Sequence, residues 1–296
     1  MSLVVVGSIG LDTIETPQGK VQDALGGSAS YASLAASYFS PTFIVGVVGE
    51  DFPEADLELL KRHQISLDGL ETKPGATFRW SGRYQDWNQA ETLSTELNVF
   101  ADFSPQLPKS CRCCSSLLLA NIHPRLQLQV LDQTERYDWV ACDTMNYWIK
   151  LCPDELTEVI RRMDIFFVNE QELRLYTGIE NIFAAARSLL ALGPKLVVVK
   201  RGEYGSVAVM PDDLFFAPAY PVERLVDPTG AGDCFAGGFM SYLGTQSELN
   251  KAVIRNAVRC GTVLAALNVG SFSVHGITGL DPDTIWAKVH QLRNWA

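Results

Sequence analysis

Asp227-Pro228-Thr229-Gly230-Ala231-Gly232-Asp233, followed by Cys234-Phe-Ala-Gly-Gly-Phe-Met240, is the stretch of this 296-residue chain that says most about its fold. The run Pro221–Val226 before it reads as a strand, and the run Asp233–Leu243 after it reads as a helix. Three small residues, Gly230, Ala231 and Gly232, lie between, so the backbone N–H groups of the turn are open to close approach by a ligand. The first N–H groups of a helix lack intrahelical partners and carry partial positive charge. A glycine-rich turn feeding such a terminus is an anion site suited to phosphate. Asp233 lies inside that cationic turn. A carboxylate there repels a phosphate, and reads better as a base that takes a proton from a hydroxyl while the phosphate sits beside it. The segment does not have the spacing of a dinucleotide fingerprint, and the chain holds no Gly-x4-Gly-Lys-Ser/Thr loop.

Outward from this segment, short apolar runs alternate with helical patterns. Buried strands are expected at Leu3–Val6, Phe43–Val48, Ser116–Ala120, Trp139–Cys142, Ile165–Val168, Leu196–Val199 and Val207–Met210. Helices are expected at Ser30–Tyr38, Glu54–His63, Arg125–Arg136, Pro153–Arg161, Glu170–Tyr176, Ile182–Leu192, Gln246–Leu267 and Pro282–Arg293. Alternation of this kind predicts an α/β fold of three layers, α/β/α, around a mostly parallel sheet, with ligands at the carboxyl ends of the strands. Two stretches, about 11–24 and 76–99, break the rhythm. The second alternates bulky and polar residues through Phe78, Trp80, Gly82 and Tyr84, the pattern of a small antiparallel sheet with one wet face. Inserted in a single domain spanning 1–296, such a sheet would be a lid over the strand ends. Its exposed face is also a surface on which two copies would pair as a homodimer.

Composition narrows the partners. Asp and Glu number 34 against 24 Lys and Arg, a formal net charge of −10, and no basic cluster is longer than a pair. Nucleic acid and anionic membrane surfaces are therefore excluded as partners. No apolar run is long enough to cross a bilayer. The seven cysteines are dispersed except for Cys111, Cys113 and Cys114, which lack the second Cys pair or nearby His of a zinc site and read as reduced thiols. With a start, Met1-Ser-Leu-Val-Val-Val-Gly7, that lacks the form of a secretory signal, this predicts a cytoplasmic protein.

Several motifs in register resemble the ribokinase-like (PfkB-type) carbohydrate kinases over essentially the whole chain. Asp227-x-Thr-Gly-Ala-Gly-Asp233 resembles the family's C-terminal signature, and Gly7-Ser-Ile-Gly-Leu-Asp12 its first strand with the aspartate that binds substrate hydroxyls. Gly26-Gly27-Ser-Ala-Ser-Tyr31 resembles its sugar-contacting turn, and Val45-Gly-Val-Val-Gly-Glu-Asp51 its next strand and turn. Asn169-Glu-Gln-Glu172 resembles the Asn-x-x-Glu motif that organises magnesium and phosphate, and Lys200-Arg-Gly-Glu-Tyr-Gly205 the nucleotide loop.

The resemblance implies a kinase that uses ATP and Mg²⁺ to phosphorylate a hydroxyl of a small sugar or sugar-like substrate. It implies Asp233 as base, with Gly230, Ala231 and Gly232 as an anion hole, since phosphoryl transfer depends on positioning and charge neutralisation. It places Asp12, Gly26, Gly27 and Tyr31 on the acceptor, and Asn169, Lys200, Gly202, Gly205, Asn256 and Gly270 on ATP. Glu172 would hold Mg²⁺ through water. Asp227 and Thr229 match positions that in many relatives help bind a monovalent cation, here K⁺. Helix capping is an equally sufficient reason for Asn169 and Glu172. A lone solvated ammonium is the plain alternative for Lys200, and a polar helix face that for Asn256.

Three departures bear on the acceptor. Asparagines common in sugar-binding relatives are replaced by Gly10 and Tyr31, which removes two amides that would bond sugar hydroxyls. The lid adds Trp80, Arg83 and Tyr84, rings that would stack on a base or sugar face and a guanidinium that would meet an anionic group. The acceptor classes left open are sugars, sugar acids, inositols and nucleosides. A nucleoside kinase of the same fold is the alternative reading, and a non-catalytic sugar- or nucleotide-binding regulator stands behind it. At two further strand ends, His123 reads as a turn residue, while Asp143 and Asn146 are candidates to face phosphate, metal or substrate.

Overall fold

A computed structural model describes residues 1–295 of the protein. Strand β1 (Leu3–Val6) is four apolar residues, all buried. Side chains alternate across a strand, so Leu3 and Val5 enter the core on one face of the sheet and Val4 and Val6 the core on the other. Runs apolar on both faces are what a parallel sheet covered by helices requires. The following strands are β2 (Gly10–Thr16), β3 (Gly19–Gly26), β4 (Thr42–Gly49), β5 (Ile65–Lys73), β6 (Phe78–Asp86), β7 (Gln89–Glu96), β8 (Cys113–Leu119), β9 (Arg136–Cys142), β10 (Ile165–Asn169), β11 (Leu196–Lys200), β12 (Ser206–Val209) and β13 (Leu214–Ala217).

Nine strands form the main sheet in the order β13-β12-β11-β10-β9-β8-β1-β4-β5 among the described residues. Pairing is parallel from β5 through to β11 and antiparallel at β12 and β13. Helices Ser28–Ala36, Glu54–Arg62, Ala231–Leu243, Lys251–Asn268 and Pro282–Arg293 cover the face of Leu3 and Val5. Helices Pro124–Leu131, Pro153–Arg161, Glu170–Thr177 and Ile182–Leu190 cover the face of Val4 and Val6. This is the expected three-layer α/β/α architecture.

A second sheet runs β3-β2-β6-β7. Its hairpins β2–β3 and β6–β7 are antiparallel, and β2 pairs with β6 in parallel. Every residue of β7 is exposed. No helix of the described residues is long and apolar enough to cross a membrane.

The expected strand Pro221–Val226 is a loop. Pro221 has no N–H for a ladder. The N–H groups of Val226 and Asp227 donate to the Val269 carbonyl at 2.8 and 3.2 Å, and the Val226 carbonyl accepts from the Thr16 hydroxyl at 2.9 Å. The helix expected over Arg125–Arg136 ends at Leu131, because Arg136 opens β9 opposite Cys113. That expected over Gln246–Leu267 begins only at Lys251, where the Asn250 side chain accepts from the Val253 N–H. Edge strand β5 carries no clear apolar run, while β13 is a run of only four residues, Leu214–Ala217, that the expected strands did not include.

Candidate active site

Helix Ala231–Leu243 starts where its sequence changes from turn to apolar residues, with Gly230 as N-cap at φ 75°. That conformation favours glycine. A Cβ on Gly230 would also lie 2.3 Å from the ring of Tyr31, so the turn lies directly on a buried aromatic face. Ala231 does not offer its N–H to a ligand: it donates to the Pro228 carbonyl at 3.2 Å. The N–H groups of Gly230 and Gly232 have no partner among the described residues. Of the three N–H groups expected to face an anion, two are thus left open to one. Asp233, on the first turn, sits in a recess where lost hydration, with the Asp143 carboxylate nearby, lifts its carboxyl to about 8, although Lys200 pulls the other way.

The charged wall of this recess comes from three strand ends. Asp143 follows β9, Asn169 ends β10 and Lys200 ends β11, opposite Asn169 in register. The Lys200 ammonium forms an ion pair with the Asp143 carboxylate. A Cβ on Gly232 would lie 3.1 Å from Lys200 Nζ, so the ammonium faces the glycine turn. Burial works against that charge, but Asp143 and Glu172 outweigh it and hold its pKa above the ordinary lysine value. Lys200 is thus a paired, mostly buried cation rather than a solvated one. The Glu172 N–H donates to Asn169 Oδ1 at 2.8 Å, and the Asn169 N–H donates to Glu172 Oε2 at 2.9 Å. This reciprocal capping box starts helix Glu170–Thr177. Burial lifts the Glu172 carboxyl to about 7, and Lys200 offsets part of that rise.

The acceptor end is built from β2 and the turn after β3. The Asp12 carboxyl lies directly over Gly26, where a Cβ would be 2.0 Å from Oδ2. Gly27, at φ 89°, caps helix Ser28–Ala36, and its backbone N–H lowers the Asp12 pKa in part. Burial and the neighbouring Asp227 raise Asp12 to about 7. Tyr31 is fully buried, and its hydroxyl has no partner among the described residues. From the second sheet, Tyr84 brings its phenol oxygen to 3.2 Å from Thr229 Oγ1.

Asp12, Gly26, Gly27, Tyr31, Asp227, Thr229, Gly230, Gly232, Asp233, Asn169, Glu172 and Lys200 therefore converge at one edge of the main sheet. The others stand differently. Arg83 pairs with Glu15 at 3.0 Å across the second sheet. Trp80 lies across Gly82, whose Cβ would be 2.1 Å from its ring, and donates from Nε1 to Thr92. Asn256 bonds Tyr242 and Arg259 within the helical layer. Gly205 is required because a Cβ would meet the Ala217 carbonyl at 1.9 Å, and Gly202 faces Asn88. Gly270 bonds the Leu267 carbonyl in the loop that follows helix Lys251–Asn268. Asn268 was not visible as a site residue, since it belongs to no local motif, whereas Ser273 lies in the loop Gly270–Val274 that the family resemblance sets beside the nucleotide.

The residues suit two kinds of cation. Mg²⁺ keeps several waters and shares phosphate oxygens. Glu172 has one oxygen engaged by the cap, and no cluster of three His, Cys, Asp or Glu ligands exists among the described residues. That suits an ion held through water and nucleotide phosphates. Asp227 is fully buried, and its oxygens accept from the N–H groups of Thr229 at 2.9 Å and Ser273 at 3.0 Å. Burial raises its pKa. The Asn268 amide donates to the Thr229 carbonyl at 2.7 Å, and Asn268 Oδ1 is buried without a partner among the described residues. A buried carboxylate, a backbone carbonyl and an unpartnered amide oxygen are the donors a monovalent cation such as K⁺ takes.

Residues 2–277 match the pfkB family carbohydrate kinases. The chain is 31% identical over 271 residues to a cytidine kinase of Thermococcus kodakarensis, covering 89% of this chain and 96% of that one. Among solved structures, the nucleoside kinase of Methanocaldococcus jannaschii superposes with a TM-score of 0.79 at 18% identity, covering 98% of each chain. An aminoimidazole riboside kinase of Salmonella enterica superposes with a TM-score of 0.77 at 18% identity, covering 98% of this chain and 100% of that one. The site thus lies in a fold shared with these kinases, and the match over nearly the whole length places the chain in the pfkB family of carbohydrate kinases, ATP-dependent enzymes that phosphorylate an alcohol.

Proposed function

We propose that the protein phosphorylates a ribose hydroxyl of a nucleoside. The observation that carries this acceptor class is the near full-length identity to a cytidine kinase. The acceptor end supports it. A Cβ on Gly10 would lie 2.5 Å from the ring of Phe78, so an aromatic ring occupies the place where sugar-binding relatives carry an amide. Phe78 in turn meets Phe100 at 5.6 Å between ring centroids. Asp12 keeps a carboxyl for ribose hydroxyls, while the amides that would read a free sugar are gone.

In this reading Asp233 accepts the proton of the attacking hydroxyl as its oxygen bonds the γ-phosphorus and the bond to ADP breaks. The N–H groups of Gly230 and Gly232, with the Lys200 ammonium facing them, take up the charge of the transferring group. Glu172 and Asn169 would hold the hydrated Mg²⁺ and phosphate, and Asp227, Thr229 and Asn268 would hold a monovalent cation. Bound Mg²⁺ supplies charge neutralisation on the phosphates. A base that must lose a proton near pH 8 is poised for proton transfer close to neutrality.

Release of ADP, measured with MgATP against nucleosides, free sugars, sugar acids and inositols, tests both parts. A nucleoside is expected to raise turnover at least about tenfold over any free sugar, a margin that a few lost hydrogen bonds supply. A free sugar as best acceptor would remove the nucleoside assignment. Asp233→Asn is expected to lower kcat by about 10²–10⁴ with the best acceptor. An unchanged kcat would remove Asp233 from the role of base.

A further inference from the structure

The β6–β7 hairpin touches both the turn before helix Ala231–Leu243 and the loop after β11. At one point Thr229 Oγ1 donates to the Tyr84 hydroxyl at 3.2 Å, immediately before the glycine turn. At the tip, Asn88 Oδ1 lies 2.6 Å from where a Cβ of Gly202 would be, on the loop after β11. One short hairpin therefore reaches both the phosphate turn and the segment that continues from Lys200. A recess of about 510 Å³, lined by Glu15, Thr16, Pro17, Arg83, Tyr84 and Gln85, opens beside Tyr84. Tyr84 thus both lines that open recess and bonds Thr229. Its oxygen accepts the Thr229 hydroxyl, so the phenol proton has no acceptor among the described residues.

We infer that Tyr84 is a positioning residue that couples closure of the second sheet to phosphoryl transfer. Its hydroxyl docks on Thr229, fixes the turn that carries Gly230 and Gly232, and shuts the recess off from the transferring group. Water admitted at that point would compete with the acceptor for the γ-phosphorus, giving inorganic phosphate and ADP instead of a phosphorylated product. The inference rests on the kinase reading and on the anion hole at Gly230 and Gly232, but not on the identity of the acceptor.

Tyr84→Phe removes the hydroxyl and keeps the ring. Inorganic phosphate release from MgATP without any acceptor is expected to rise about fivefold, because a seal is lost. With cytidine as the probe, kcat is expected to fall about tenfold while KM stays within about twofold, as for one lost hydrogen bond made at closure. Thr229→Val removes the other side of the contact, and adding Tyr84→Phe to it is expected to change kcat by less than about twofold. Unchanged hydrolysis and kcat in Tyr84→Phe would overturn the inference. So would an equal loss from Tyr84→Phe in the Thr229→Val background. If Tyr84→Phe fails to fold by circular dichroism, the hydrolysis assay on Thr229→Val decides alone. The hydrolysis arm needs no acceptor, whereas failure of the nucleoside assignment shows as wild-type enzyme idle with cytidine.

Discussion

Gly230 shows how one residue carries two constraints. Its φ of 75° suits glycine, and the Tyr31 ring occupies the space of a side chain. Gly230→Ala is expected to destabilise the protein by about 2–4 kcal/mol, combining left-handed backbone strain with overpacking. A shifted denaturation midpoint with an unchanged m-value would show it, and an unshifted midpoint would place the Tyr31 ring elsewhere. The same residue scale holds what the motif reading separated least well. Lys200 read equally as a phosphate cation or a solvated head, and the ion pair with Asp143 decides for a buried, paired one. Ala231 read as an anion-hole donor, yet its N–H closes the turn on Pro228.

At the scale of elements, the Asn169–Glu172 box explains why helix Glu170–Thr177 begins directly at the end of β10. Two otherwise orphaned N–H groups are satisfied reciprocally, and the helix N-terminus is held at the sheet edge. Asn169→Ala is expected to cost about 1 kcal/mol of stability through the cap alone. Thermal denaturation of the ligand-free protein reads that cost, and an unchanged transition would show the cap to be idle. Most strands and helices were legible because their apolar spacing reports one or two buried faces. The run Pro221–Val226 misled because apolar, proline-containing segments also serve as loops when side chains and distant carbonyls take their backbone groups. Here Thr16 and Val269 do so, and nothing in residues 221–226 announces it.

The whole molecule gathers several carboxyls at one edge of the sheet, and this has a consequence for stability. Asp233 titrates near 8 and Asp12 and Glu172 near 7 in the folded protein, chiefly through burial. An ordinary carboxyl in the unfolded chain titrates near about 4. The folded state therefore binds more protons across that window. The stability these groups contribute is complete below about pH 4 and is lost as pH rises through the folded values. The melting temperature of the ligand-free protein is expected to fall by about 5 °C or more between pH 6 and 8.5. Asp233→Asn should flatten the upper part of that slope. A variant that melts in parallel with the wild type at every pH would show that Asp233 is not the source.

By itself the sequence determined the three-layer architecture and the kinase class, and it singled out most of the residues that meet at one edge of the main sheet. Strand and helix periods, glycine turns and caps are set by neighbours a few residues away, so they can be read along the chain. The tertiary structure decided which of those groups face one another. The Lys200–Asp143 pair spans 57 residues and the Tyr84–Thr229 contact spans 145. Such pairings follow from strand order and from where the second sheet meets the turn before helix Ala231–Leu243. Local spacing carries no record of either, and the buried charges shift in pKa only because that folding removes their water.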